Sequence, residues 1–218
     1  MKCTISQFCS IMQLHKNTFC TMGGCMQTKN ERPAKTAARI LEAAKQLTIQ
    51  KGWSNTTVRD ICNACNISVG AFYHHFSSKQ ELMNRAFLLF DETLAAKLPL
   101  ADGPPVEMLR RILLTQTSFV ARQAGPVVTE YYRNILTDEQ RAAVDPQRLY
   151  YQRVLHYTKL AHAQGILNEN FTPQQAAELL IKFVRGSLID WCLHNCDYDV
   201  TARTEQELDL LLGGLYKG

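Results

Sequence analysis

From Lys35 onward, apolar residues recur every three to four positions. Ile40, Leu41, Ala44 and Leu47 line one face of an amphipathic helix. Lys51-Gly52 ends that helix, because glycine accepts the left-handed backbone that closes a helix. A second helix is expected over 58–65, behind Asn55-Thr56-Thr57, whose hydroxyls can accept from the free amides of a first turn. Asn66 then suits a left-handed turn position. A third, short helix should open behind Ser68 and end near Phe76, and Ser77 to Glu81 should cap a fourth that runs to about Lys97. Beyond the Pro/Gly-rich break at 99–105 the same period predicts helices over 106–124, 127–136, 146–165, 173–195 and 203–216. Strand-like alternation of any length is missing, so the expected class is all-α with about nine helices.

Residues 1–33 stand apart. They lack helical periodicity, contain Gly23-Gly24 and end in a polar stretch; they are expected to be a disordered extension, or to precede an internal start at Met22 or Met26. Lys29 to Lys35 reads as a basic arm. The remainder divides into a three-helix head, 34–80, and a larger helical part, 81–218.

With 46% hydrophobic and 20% charged residues, the 218-residue chain can bury a substantial core. No apolar run approaches the roughly 18–20 residues of a membrane span, and the first residues lack the apolar stretch of an export signal. A cytoplasmic location without membrane contact is the expectation. Charge is uneven. Residues 1–79 carry 10 Lys and Arg against 3 acids, a net +7, and the rest carries 14 against 17, a net −3. A basic head on an acidic body is the electrostatic footprint of a nucleic-acid reader.

The stretch Thr56 to Leu82 carries the chemistry. Spacing places Ile61, Cys62, Cys65, Ile67 and Phe72 between its helices and turns Arg59, Ser68, Val69, Tyr73 and His74 outward. Hydroxyls, imidazoles and a lysine on that face can meet phosphate oxygens or base edges. The string Ile67-Ser68-Val69-Gly70-Ala71-Phe72-Tyr73-His74-His75-Phe76-Ser77-Ser78-Lys79-Gln80-Glu81-Leu82 resembles the recognition-helix signature of the tetracycline-repressor (TetR/AcrR) family, V-S-x-G-x-[LF]-Y-x-[HY]-F-x-[SND]-K-x-x-L. The resemblance is strong over residues 35–90 and extends beyond only in helix count. The chain departs from it with Cys62, Cys65 and Asn66 where the family often has Ala, Ala and Gly, and with Val69 where several members have Lys.

The resemblance implies a homodimeric, ligand-responsive repressor that leaves a palindromic operator when a small molecule binds, with no cofactor and no metal. It implies contacts to double-stranded DNA from Thr57, Arg59, Ser68, Gly70, Tyr73, His74, His75 and Lys79. Gly70 would let the backbone approach the duplex, and Lys79 would clamp a phosphate at a helix N-terminus. The last two helices would pair subunits through Leu179, Leu180, Phe183, Val184, Leu188 and Trp191 on one and Leu208, Leu211, Leu212 and Leu215 on the other. Polar and aromatic positions on otherwise apolar helices are the effector-site candidates: Phe119, Tyr131, Tyr132, Tyr150, Tyr151, His156, Tyr157, Arg185, Asp190 and Trp191. Asp190 would pair with Arg185 or cap an interface.

Eight cysteines invite two other readings. Cys62 and Cys65 have the spacing of a metal or redox pair, but no second pair follows, and packed thiols are expected. Cys192 and Cys196 leave open a thiol-sensing regulator of the same fold. A non-catalytic helical binding protein with a basic head is the other alternative. An enzyme is not expected, since GxSxG, HExxH and phosphate-cradling glycine loops are all missing from the sequence.

Overall fold

The computed structural model describes residues 31–125, 127–135 and 142–216. The expectation for residues 1–30 therefore lies outside the described residues. Among these are nine α-helices: α1 (Glu31–Lys51), α2 (Val58–Cys65), α3 (Val69–His75), α4 (Lys79–Lys97), α5 (Pro105–Gln123), α6 (Val127–Ile135), α7 (Leu149–Ala163), α8 (Pro173–Leu193) and α9 (Val200–Leu215). The all-α expectation holds; among the described residues an isolated β-bridge between Leu167 and Tyr216 pins the end of α9.

Three boundaries differ from the periodicity by three residues or more. Helix α1 already begins at Glu31, so the helix includes part of the stretch assigned to a loose arm. Helix α7 starts at Leu149 because Asp145 and Pro146 form a turn, in which the Asp145 carboxylate accepts from the Gln147 amide at 2.8 Å. Helix α9 starts three residues earlier than expected because Asp199 caps it, accepting from the amides of Thr201 and Ala202 at 3.0 Å each.

The apolar faces close two cores. Ile40 and Ala44 of α1 pack with Trp53, Ile61, Cys62, Cys65, Phe72 and Phe76 in the head. The larger core joins α4 through α9, with Leu94, Leu109, Leu113, Val154, Leu180 and Leu208 completely or almost completely buried. Two elements serve both. Helix α4 puts Leu82 and Met83 into the head core and Phe90 and Leu94 into the larger one, so the boundary expected at 80/81 falls inside a continuous helix. On α6, Tyr131 is buried in the head core, while Tyr132 borders both.

Candidate nucleic-acid interface and sensor core

Helix α2 begins with a capping box. The Thr57 hydroxyl oxygen accepts from the Asp60 amide at 3.1 Å, and the Asp60 carboxylate accepts from the Thr57 amide at 2.8 Å. Lys51 donates to the same carboxylate at 2.7 Å, and these bonds, that of Lys51 foremost, hold Asp60 well below the usual carboxylate range. The helix ends at Asn66, whose φ of 50° and ψ of 53° are the left-handed conformation that the turn requires. Arg39 of α1 donates to the Cys65 carbonyl at 2.6 Å, satisfying an end of α2 that would otherwise face solvent unpaired.

The chain then re-enters helix at Ser68, the N-cap of α3, whose hydroxyl accepts from the Ala71 amide at 3.1 Å. Helix α3 is held by Phe72, buried and in edge contact with Tyr73 at 5.3 Å, and by Phe76 at 5.8 Å. That anchoring leaves the other face free. Ser68, Val69, Gly70, Tyr73 and His74 are exposed, with Tyr73 53% accessible, and Arg59 is exposed on α2. His75 is half-buried, its ring 6.5 Å from that of Phe76. Gly70 has no internal reason to be glycine: a Cβ there would meet only the Ser68 hydroxyl, at 3.8 Å. The expected in-and-out pattern of this stretch is thus present, Ile67 being half-buried.

Lys79 is placed differently from the phosphate clamp that the resemblance implies. Its ammonium donates to the carbonyls of Trp53 at 2.5 Å and Thr56 at 2.7 Å and lies 4.4 Å from the centre of the Trp53 ring. Partial burial pushes its pKa down. It therefore fastens the start of α4 to the turn between α1 and α2. Thr57 likewise spends its hydroxyl within its own capping box, donating to Asp60 at 2.6 Å.

The effector candidates separate into groups. Phe90 of α4 packs against Phe119 of α5 at 5.4 Å and against Tyr150 of α7 at 5.3 Å. Tyr150 is 3% exposed, and its hydroxyl has no hydrogen-bond partner among the described residues. Burial raises the pKa of the Tyr132 and Tyr150 phenols, and at Tyr150 the Arg148 guanidinium foremost opposes the rise. Phe119 and Tyr150 are thus brought together around Phe90, while Tyr132 borders both cores.

The others are engaged elsewhere. Tyr131 belongs to the head core. Tyr157 is fully buried, donating to the Ala101 carbonyl at 2.9 Å, with His156 in edge contact at 5.0 Å. Trp191 donates to the Tyr198 carbonyl at 2.9 Å. Asp190 accepts from the Tyr198 hydroxyl at 2.8 Å, whereas Arg185 donates to the Ala143 carbonyl at 3.0 Å, so the Asp190–Arg185 pair does not form. Of the subunit-pairing positions, Leu179, Phe183 and Leu211 are half-buried and the other seven are buried within the protomer. Leu180, Val184, Leu188, Trp191, Leu208, Leu212 and Leu215 are buried against α5 and α7, and the apolar residues these helices expose are Ile189, Leu193 and Leu210.

A sequence model of the tetR family of bacterial regulatory proteins matches residues 40–86, which contain the whole of α2 and α3. The HTH-type transcriptional repressor KstR2 of Mycobacterium tuberculosis is 28% identical over 191 residues, covering 82% of this chain and 92% of that one. Residues 40–86 carry the tetR-family sequence pattern of bacterial regulatory proteins. Solved structures place the fold beside NalD, a secondary repressor of the MexAB-OprM efflux pump in Pseudomonas aeruginosa, with a TM-score of 0.64 at 22% identity over 84% of this chain and 98% of that one. They also place it beside FadR of Bacillus subtilis, solved in complex with stearoyl-CoA, with a TM-score of 0.63 at 17% identity over 81% and 98% of the two chains.

The chain also contains contacts that this tetR-family motif gives no sign of. Arg148, just before α7, sends two bonds to Asp91 of α4, at 2.8 and 3.0 Å, and the Tyr150 amide adds a third at 3.3 Å. Arg110 of α5 holds Glu205 at 2.6 Å and Asp209 at 2.9 Å on α9, and Arg153 of α7 donates to the Leu98 carbonyl at 2.7 Å beyond the end of α4. Cys62 and Cys65 are packed in the head core, where burial raises both thiols' pKa. The same cause pushes Cys192 up to about 11, which disfavours the thiolate that a thiol sensor needs.

Proposed function

We propose that this regulator is a homodimeric repressor whose two α3 helices enter successive major-groove faces of a palindromic operator, and that a small apolar effector in the larger core releases it. The observation that carries the reading is the exposed face of α3: Val69, Gly70, Tyr73 and His74 stand outward from a helix locked from behind by Phe72. Acidic groups are kept from that face, since Asp60 is engaged by Lys51 and Glu81 by Ser77. Ser68, Tyr73 and His74 supply base-edge or phosphate contacts, Arg59 a phosphate contact, and Gly70 the close approach of backbone to duplex. His75, half-buried, and Thr57 and Lys79, held internally, set the face in place and touch DNA with what donor capacity remains.

One short helix reads too little surface for useful affinity, so two heads about 34–36 Å apart are required. Ile189, Leu193 and Leu210, respectively 39%, 77% and 81% exposed on α8 and α9, are the apolar surface available for pairing subunits. FadR, a protein of similar fold, was solved in complex with stearoyl-CoA, which supports a small-molecule effector here. Helix α4 then transmits the signal, because its first turns belong to the head and its later turns carry Phe90 and Asp91 beside Tyr150. Full release requires the effector to favour the non-binding state by about 5.5 kcal/mol. Such a protein works beside the chromosome, in the cytoplasm, and performs no catalysis.

The test is anisotropy of a labelled inverted repeat obtained by selection of bound duplexes. Affinity should fall by about 10³–10⁵ between 50 and 200 mM salt if 6–10 phosphates are contacted. Tyr73→Ala should weaken specific binding at least tenfold, by about 1.4 kcal/mol, without unfolding the protein. Salt-independent binding, or an unaffected Tyr73 variant, would sink this assignment.

A further inference from the structure

Val69, Gly70, Tyr73 and His74 face outward from α3, and one of them differs from the rest. Tyr73 carries a hydroxyl and His74 an imidazole, and Gly70 has no side chain to stand in the way. Val69 offers an isopropyl group that is 42% exposed and packs on neither core. It can neither donate nor accept a hydrogen bond. The residue adds nothing to the protein's interior, and it cannot hold a phosphate.

Its neighbours determine what it meets. Val69 and Tyr73 are four residues apart and share one side of the helix. Gly70 adds no bulk beside them: a Cβ there would meet only the Ser68 hydroxyl, at 3.8 Å. A duplex close enough to take a hydrogen bond from Tyr73 therefore covers Val69 as well. In the major groove every base edge presents donors or acceptors, and thymine alone adds an alkyl group, its 5-methyl. An isopropyl group pressed on guanine, adenine or cytosine strips water from polar atoms and returns no hydrogen bond. Pressed on the thymine methyl it buries apolar surface against apolar surface. The side chain discriminates between bases although it forms no hydrogen bond.

We propose that Val69 is a specificity-determining residue of the operator contact and that it reads the 5-methyl group of one thymine in each half-site. This rests on the reading of α3 as the helix that enters the groove. Each half-site then contributes one apolar contact, and a two-fold symmetric duplex contributes two. The operator is thereby constrained at one position by a side chain without hydrogen-bonding capacity, next to positions read by Tyr73 and His74.

The experiment uses the full chain and an operator obtained by selection of bound duplexes. Each thymine of the half-site is replaced in turn by deoxyuridine, in both halves at once, which removes the methyl group and keeps the base pair. Anisotropy gives Kd for the parent, Val69→Ala and Tyr73→Ala. Burying one methyl group is worth about fourfold in affinity, or about fifteenfold for two separated half-sites. One thymine position should show that loss with the parent and a loss of less than about twofold with Val69→Ala. Tyr73→Ala, weaker throughout, should keep the full penalty at that position. A half-site without thymine, or a parent that tolerates uracil at every position, overturns the proposal. So does a penalty that survives Val69→Ala or that Tyr73→Ala abolishes, since the methyl group then belongs to another side chain. A parent that binds its operator with steep salt dependence yet ignores uracil refutes this contact and leaves α3 in the groove; a parent that selects no duplex refutes both.

Discussion

Asp91 and Arg148 meet face to face inside the protein, 57 residues apart in sequence, through two bonds of 2.8 and 3.0 Å. The pair joins the middle of α4 to the entrance of α7. Each side chain is mostly shielded from water, with 12% and 6% of its surface exposed. Such a pair repays its desolvation only when both members are present and well oriented. Asp91→Ala should therefore destabilise the protein by about 3–5 kcal/mol in urea unfolding, because it strands a buried guanidinium. Asp91→Leu combined with Arg148→Met should recover most of that loss. A single variant as stable as the parent would show that water reaches the pair freely.

Gly70 separates stability from recognition. Its Cβ space is open within the protomer, and helix formation favours alanine over glycine by about 0.5–1 kcal/mol. Gly70→Ala should raise the melting temperature slightly or leave it unchanged, and should weaken operator binding at least tenfold (about 1.4 kcal/mol). Retained affinity would mean that the duplex does not come close to the start of α3.

Lys79→Met should act mainly on folding. It leaves the Trp53 and Thr56 carbonyls without their donor, at a cost of about 1–2 kcal/mol given that water can partly replace it. The slope of log Kd against log salt should change by less than the roughly 0.9 expected for one lost phosphate contact. A full unit of lost slope with unchanged stability would instead make Lys79 a phosphate ligand.

Acid should loosen the head through Asp60 and Glu81. Lys51 and Thr57 lower the first, and Ser77 lowers the second. Both folded-state values lie below the unfolded ones. Their stabilisation is therefore complete above the ordinary carboxylate range, near pH 4, and is lost as pH falls through and below it. Asp60→Asn should flatten the stability profile of the head in that acid range and lower its stability near neutrality, where the ionised carboxylate contributes fully; an unchanged slope would refute the assignment.

Much of the head could be read from its residues because its signals are local. Thr57, Ser68 and Asn66 act within three or four positions of themselves, as caps and a left-handed turn, and the period of Ile61, Cys65 and Phe72 marks one buried face. The longer helices lacked that clarity. Helices α8 and α9 carry leucines on several sides, so periodicity could not separate Leu188 in the core from Leu193 at the surface. Nor could spacing reveal where a long side chain turns: Lys79 fits a phosphate contact in the motif, yet bends toward the Trp53 carbonyl 26 residues earlier. Arg185 and Tyr150 were recognisable as unusual polar residues, but what each meets, the Ala143 carbonyl and the Phe90 ring, depends on how the helices pack.

Tyr131 has a consequence for how the molecule can be divided. Its ring fills part of the space enclosed by α1 to α4, although it belongs to a helix that begins thirty residues after α4 ends. A fragment cut after Lys97 would carry an empty socket there, and a chimaera joining this head to a relative's body would need an aromatic ring delivered to the same spot. The reading unit is contiguous in sequence only up to that missing piece, and exchanging such units between regulators means transplanting two separated segments.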